Sequence, residues 1–395
     1  MAVTIYDEPQ LISPAGNPLM FTFSSDETGQ DNFSFIIEVF VNTALHSTHQ
    51  VFRQFGTLSK FDCSGILAST LLNLEITTDF EFDATNSMST YAIVVYEKYG
   101  DPAITQASAT SSTLKAFNGA LRHQDWIDWD FTIYDPNQTQ DAVFLTDFPT
   151  AQKAFCGIEE NFYLGYFEES GIAGVSFIID LYDINGVVTS GDSFALTSTE
   201  FNILNVGPTA IASVSPVLTL VDFSSDCYYY EFEVDVGGNS QVGPFRIYVD
   251  NDCKRYETRR LHWLNKYGVW DSFTFSLVSI DSSTVQSYGY QREKGIWDNT
   301  SYTYPLYQGE KTTFAKTASD QLILNSDFIK QEVQQWLVRG LYESPVVYLE
   351  VEDGTEFEPV NVTNSSYQFK TRRRDGLIQE QITIERTYTY TSQLN

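Results

Sequence analysis

The feature that most constrains this chain is the alternation of apolar and polar residues in short runs from one end to the other. Phe33, Phe35, Ile37, Val39 and Val41 occupy every second position, as do Tyr228, Tyr230, Phe232, Val234 and Val236, and the pattern returns through Ile378, Ile382, Ile384, Tyr388 and Tyr390. Side chains of an extended strand alternate between its two faces, so each run asks for one hidden face and one face in water. A chain made almost wholly of such runs hides them by stacking sheets on one another.

The expected fold is therefore mainly β: tandem antiparallel sandwiches, Ig/fibronectin-like or jelly-roll-like, with a single amphipathic helix. At 395 residues the chain is longer than one hydrophobic core normally serves, which calls for two or three domains. The small polar stretch Ala107 to Thr113 marks the first boundary, giving sandwiches over 1–112 and 113–280 and a C-terminal β domain over 281–395. Asn185-Gly186 between two β-rich runs predicts a tight primed turn, and Asn265 to Gly268 a second hairpin. The helix is expected over Asp327 to Tyr342, where Phe328, Ile329, Val333, Trp336, Leu337 and Leu341 recur at helical spacing, with Asn325 or Ser326 as its cap. The stretch from Ser282 to Phe314, rich in Tyr, Gly and polar residues, reads as an assembly arm. Phe23-Ser24-Ser25-Asp26 recurs as Phe223-Ser224-Ser225-Asp226, a hint of duplicated topology.

Charge narrows the function. Fifty-two acidic residues against 23 basic ones leave −29, a surface that repels phosphate and argues against tight nucleic-acid binding. The same field suits a wall past which DNA slides without sticking, and it also serves plain solubility. Cys63, Cys156, Cys227 and Cys253 lie too far apart in sequence for a zinc motif and read as reduced, buried thiols. The opening residues show no basic region followed by an apolar core, and no apolar run approaches a bilayer span. The expectation is a cytosolically made protein with neither cleaved leader nor membrane segment.

Chemistry-bearing patterns are sparse. Asp125-Trp126-Ile127-Asp128-Trp129-Asp130-Phe131-Thr132 is similar to the D-x-x-D-x-D-x-E strand of one class of chitinases, but Thr132 stands where the proton-donating acid is needed. It reads instead as an aromatic strand with its acids in water. His46 and His49 lack the spacing and the intervening Glu of a zincin, and His123 and His262 stand alone. No catalytic, cofactor-binding or metal-binding set emerges, and an enzyme is not expected. Basic residues cluster at Lys254-Arg255 with Arg259-Arg260, and at Arg372-Arg373-Arg374. Arg255, Arg259, Arg260, Arg372, Arg373 and Arg374 are candidate subunit contacts, steering acidic faces of neighbouring copies into register, or else charges guarding an edge strand.

Three strings together resemble virion proteins of tailed phages that infect Bacteroidetes, including the crAss-like group. The first runs from Ile12-Ser13-Pro14 through Asn17-Pro18-Leu19 and Phe33-Ser34-Phe35 to Lys60-Phe61-Asp62-Cys63-Ser64-Gly65-Ile66-Leu67. The second is Arg260 to Gly268 with Trp270 to Phe275, and the third Ser344 to Leu349 with Phe357 to Val360 and Asn361 to Tyr367. The resemblance implies a structural subunit of the tail, neck or baseplate, assembled as a ring with copies of itself and with other tail or neck proteins, and located in the virion. A receptor- or carbohydrate-binding protein at the tail periphery is the alternative, suggested by Trp126, Trp129 and Trp297, whose rings could stack on sugars. A glycan-degrading enzyme is a third, motivated only by Asp125, Asp128 and Asp130.

Overall fold

A computed structural model describes residues 3–391 except 55, 102, 169–173, 198, 226, 238–239, 252–254, 308, 352–353 and 364–376. The chain is mainly β, and most of its strand pairs are antiparallel. It divides into two units: residues 1–251 with 264–272, and residues 252–263 with 273–395.

The first unit holds two stacked-sheet cores. In one, the three-stranded sheet Val3–Asp7, Met20–Ser25 and Leu58–Asp62 lies against a six-stranded sheet. That larger sheet runs Ile12–Pro14, Leu114–Phe117, Met88–Gly100, Ser34–Val41, Ala44–Val51, with Ala103–Thr110 also beside Met88–Gly100. The alternation is met as expected: Phe21 and Phe23 from one sheet meet Phe35, Ile37, Tyr91 and Ile93 from the other. The Phe23 and Phe35 rings pack edge-on, centroids 4.9 Å apart.

The second core follows the same plan. Val175–Tyr182 sits between Val188–Ala195 and Tyr229–Val236, and the sheet continues through Ser240–Val249 to the short strands Asp141–Ala142 and Ala154–Cys156. Opposite lies the sheet of Tyr163–Phe167, Phe201–Asn205 and Glu81–Asp83. Phe177, Ile179, Phe232 and Val234 point inward toward Phe80, Leu164 and Leu204.

The turn at Asn185-Gly186 is wider than the primed two-residue turn predicted for it. Asp183 accepts backbone N–H bonds from Asn185 and Val187, both at 2.8 Å, and only Gly186 takes a positive φ, whereas a type I′ turn needs two such residues in succession. The carboxylate of Asp183 thus organises a longer loop. The Phe223-Ser224-Ser225 echo does not repeat a structural position either: Phe23 lies in a strand, while Phe223 belongs to the short helix Leu220–Ser225.

In the second unit, residues 259–263 and 273–275, from the strands Arg259–Leu264 and Trp270–Phe275, begin a seven-stranded sheet that continues through Val347–Glu350, Phe357–Val362, Gln381–Thr391 and Lys311–Asn325 to Ile280–Gln291. One helix covers part of it, setting Trp336 against Trp263 with ring centroids 5.0 Å apart. The helix spans Gln331–Glu343 and starts four residues later than predicted. Ser326 donates its backbone N–H to Glu380 and accepts one back from Glu380 on its hydroxyl, while Ile329–Lys330 pairs with Leu377–Ile378 as a short strand. Those long-range bonds hold 326–330 extended, so apolar spacing at 328–329 cannot carry the helix backward.

Candidate interaction surface

Among the described residues, the longest strand exposed along its whole length is Ile280–Gln291, which forms a hairpin with Lys311–Asn325 wholly within the second unit. Its register runs from Ile280 opposite Ile323 to Gln291 opposite Lys311. Twelve residues at about 3.3 Å each make the outer strand about 40 Å long. All twelve are exposed, on both faces of the strand, and it is the last strand of the sheet. An edge strand with a free row of backbone groups and no buried face is a template for pairing, which monomeric proteins normally block.

Its composition is that of a contact surface. Tyr288, Tyr290, Trp297, Tyr302, Tyr304, Tyr307 and Phe314 are all exposed, and Leu306 at the tip is 105% exposed. Aromatic residues are enriched at interface cores and are costly to leave in water. At the tip, Ile296–Trp297 pairs with Tyr302–Thr303. The backbone N–H groups of Thr300 and Ser301 donate to Asp298, close this turn and hold its carboxyl below the usual range. Trp297 stands 5.7 Å from Tyr302, and Tyr302 stacks on Tyr304 at 6.2 Å. Tyr302 donates its hydroxyl to Glu293 at 2.9 Å, and that bond raises the phenol pKa. Arg292, Glu293, Gly295, Ile296, Trp297 and Tyr302 together line an open recess.

The basic clusters separate. Arg255 lies exposed beside the ring of Tyr256, 5.5 Å from its centroid. Arg259 pairs with Glu257 at 2.8 Å. Arg260 is only 3% exposed, so it is not presented at the surface: its guanidinium donates to Thr274 Oγ1 at 2.7 Å and sits 3.7 Å from Glu350. Glu350 also bonds His262 at 2.5 Å, in a buried polar group beneath Phe357. Strand Arg259–Leu264 is paired on both sides and buried on both faces from Arg260 onward, and only Arg259 at its start is partly exposed. Arg372, Arg373 and Arg374 lie outside the described residues.

The Asp125 to Thr132 segment is not a strand. Asp125 lies in the first turn of the helix His123–Ile127, and Asp130 caps the short 3-10 turn Phe131–Tyr134 by accepting from the Thr132 N–H and hydroxyl. Asp125 pairs with Lys266 at 3.1 Å, and Asp128 accepts from Gln124 at 2.9 Å. Each of the three acids has a local structural bond. The tryptophans also divide: Trp129 is 6% exposed and donates to the Ile12 carbonyl at 3.0 Å, Trp126 packs at the margin of the first core, and Trp297 is 54% exposed. His46 sits at a β-bulge of the edge strand Ala44–Val51 and is exposed, while His49 bonds Ser47 at 2.9 Å and packs 5.1 Å from the ring of Phe61. Among the described residues, no group of three or more His, Cys, Asp or Glu is placed to hold a metal ion. Cys63, Cys156 and Cys227 are free and buried, and Cys253 lies outside the described residues. Among the described residues, no helix is long and apolar enough to cross a membrane.

What the sequence did not single out is Arg292 and Lys311 near the end of the arm. The available signal was their isolation: they are two of only four cations between residues 282 and 319.

No protein-family model and no curated protein matches the sequence. Among solved structures, the fibronectin(III)-like modules of Clostridium thermocellum CbhA align at 10% identity over 63% of this chain and 93% of that one, with a TM-score of 0.18. A marsupial T cell receptor aligns at 9% identity over 81% of this chain and 96% of that one, TM-score 0.20. The BSP domain of a biofilm associated protein aligns at 7% over 81% and 62%, TM-score 0.16. At these TM-scores the likenesses carry no weight for fold or activity.

Proposed function

We propose that the chain is a structural subunit of a bacteriophage virion, built into a homo-oligomeric ring of the tail, neck or baseplate. Its partners are other copies of itself and other tail or neck proteins, and its mechanism is mechanical. The stacked cores supply rigidity while free edges and the arm make the contacts. The observation that carries the assembly reading is the 40 Å-scale ribbon, exposed on both faces and set with tyrosines. The assignment to a phage rests on the three strings that resemble virion proteins of phages infecting Bacteroidetes. The charge of −29 agrees with a component that DNA passes without binding.

The test has two parts. Native mass spectrometry of the purified chain should show one closed oligomer, and a low-resolution image of the particle should place a layer of matching symmetry in its tail or neck. A chain that stays monomeric at high concentration, alone and with tail components, would overturn the reading.

A second reading, binding of receptor glycans at the tail periphery, draws on the Trp297, Tyr302 and Tyr304 ladder, because aromatic faces stack on sugars. Specific micromolar binding on a glycan array, abolished by Trp297→Ala, would favour it over the ring.

A further inference from the structure

The arm differs from the rest of the chain in charge. Residues 282–319 contain Arg292, Lys294, Lys311 and Lys316 against Glu293, Asp298 and Glu310, a balance of +1, which leaves −30 on the remainder. An exposed, aromatic, slightly positive ribbon on a strongly acidic protein is complementary to the protein's own acidic faces.

One face in the first unit has the matching chemistry. On the outer side of the second core's sheet of Val175–Tyr182, Tyr229–Val236 and Ser240–Val249, Tyr182, Tyr229 and Tyr248 form a row, with Tyr182 stacked on Tyr229 at 4.7 Å and Tyr229 5.5 Å from Tyr248. This row already seats cations: Arg246 lies 4.4 Å over Tyr229 and Lys153 lies 4.2 Å over Tyr248. Beside it the carboxylates crowd, since Asp180 is opposite Glu231 and Ile178 is opposite Glu233. Arg246 neutralises Glu231 at 2.9 Å. No cation among the described residues pairs with Asp180 or Glu233. Partial burial first, and then the neighbouring Asp235, Asp180 and Glu231, hold the Glu233 carboxyl above its ordinary pKa.

We propose that the arm of one copy docks on this tyrosine and carboxylate face of a second copy, with Arg292 and Lys311 seated against Asp180 and Glu233. The Arg292 backbone N–H donates to the carbonyl of Glu310, next to Lys311, so the two cations sit at the same level of the ribbon. The arm's tyrosines add apolar area that a charge pair alone would lack. The docking rests on the reading of the chain as a self-assembling subunit, and it names the two surfaces that join.

The test uses the full chain. Arg292→Glu with Lys311→Glu should weaken self-association by about tenfold or more in sedimentation velocity at about 0.15 M salt, where charges closer than about 8 Å still interact. Asp180→Lys with Glu233→Lys should weaken it similarly, and mixing the two variants should restore it. Independently, carbodiimide coupling of an equal mixture of light and heavy-isotope wild-type chains should yield a mixed-isotope crosslink between Lys311 and Glu233. Association that ignores both reversals, or mixed-isotope crosslinks that fall elsewhere, overturns the docking while leaving the subunit reading intact. Self-association through these residues by a chain missing from the virion would do the opposite.

Discussion

Gly340 offers a sharp test of how the second unit is packed, because two known effects oppose each other there. Replacing a helical glycine by alanine normally stabilises a helix by about 1 kcal/mol, since glycine loses more backbone freedom on folding. Gly340, however, lies under the five-membered ring of Trp263: a Cβ there would fall well inside contact with Nε1, and would sit 3.0 Å from Cε2 and 3.1 Å from Cδ1. The ring cannot move aside easily, being fully buried and backed by Trp336 at 5.0 Å. Overpacking of that kind costs about 1–3 kcal/mol, so the usual gain is cancelled or exceeded and Gly340→Ala should lose up to about 2 kcal/mol net. Trp263→Leu removes the obstructing indole, and in that background Gly340→Ala should be neutral or stabilising by up to about 1 kcal/mol. The coupling in the double-mutant cycle is then the overpacking cost of about 1–3 kcal/mol, read by urea titration of the transition that carries the Trp336 fluorescence. If Gly340→Ala stabilises the protein by the usual ~1 kcal/mol with Trp263 in place, the contact between the helix and the sheet is not as described and the reasoning fails.

Burial and Asp62 push the Cys63 thiol up to about 12, against about 8.5 in an unfolded chain. Its contribution is complete below about pH 8.5 and declines by about 1.4 kcal/mol per pH unit above it, so the alkaline loss of stability measured by urea midpoints between pH 8 and 10.5 should be shallower in Cys63→Ala. Glu350→Leu strands the buried Arg260 guanidinium and should cost about 3–5 kcal/mol by calorimetry, more than Glu350→Gln, and equal losses would contradict an ionic role. Trp129→Ala should cost about 3–5 kcal/mol, because it empties a buried site and orphans the Ile12 carbonyl, whereas Trp297→Ala should stay within about 0.5 kcal/mol. Similar thermal shifts for the two would refute their assignment to interior and tip.

The alternation at Phe33 to Val41 and at Tyr230 to Val236 was enough to read stacked sheets, because burial of every second residue is a local demand. What failed depended on distant partners. The helix start was misplaced because 326–330 is held by Glu380 and by 377–378, residues some fifty positions away. Asp125 to Asp130 looked like a strand since carboxylates and indoles alternated, yet the same acids serve a helix first turn and a cap. Arg260 and its neighbour Arg259 form one cluster in sequence, but the strand is buried on both faces from Arg260 onward while Arg259 at its start is partly exposed, and that depends on what covers the sheet. Of the candidate contact surface, the arm region was legible from its tyrosines and polar residues. Its extent was not, since the length of the outer strand is fixed by pairing Ile280 with Ile323 across the whole intervening segment.

The arm also shows where alternation stops being informative. Along Phe33 to Val41 the apolar positions are hidden and the pattern fixes register, because slipping by one residue would expose the core face. Along Ile280–Gln291 neither face is hidden, so no core sets the register. It is held instead by cross-strand contacts such as Tyr290 with Phe314, by the ion pair Lys294 to Glu310, and near its base by the third strand, Gln381–Thr391. Such exposed pairs contribute only tenths of a kcal/mol to about 1 kcal/mol each, and a two-stranded ribbon in water is marginal. A contact that covers one face would supply the missing hidden side, so the same burial rule that builds the sandwiches within one chain favours docking of the arm on another.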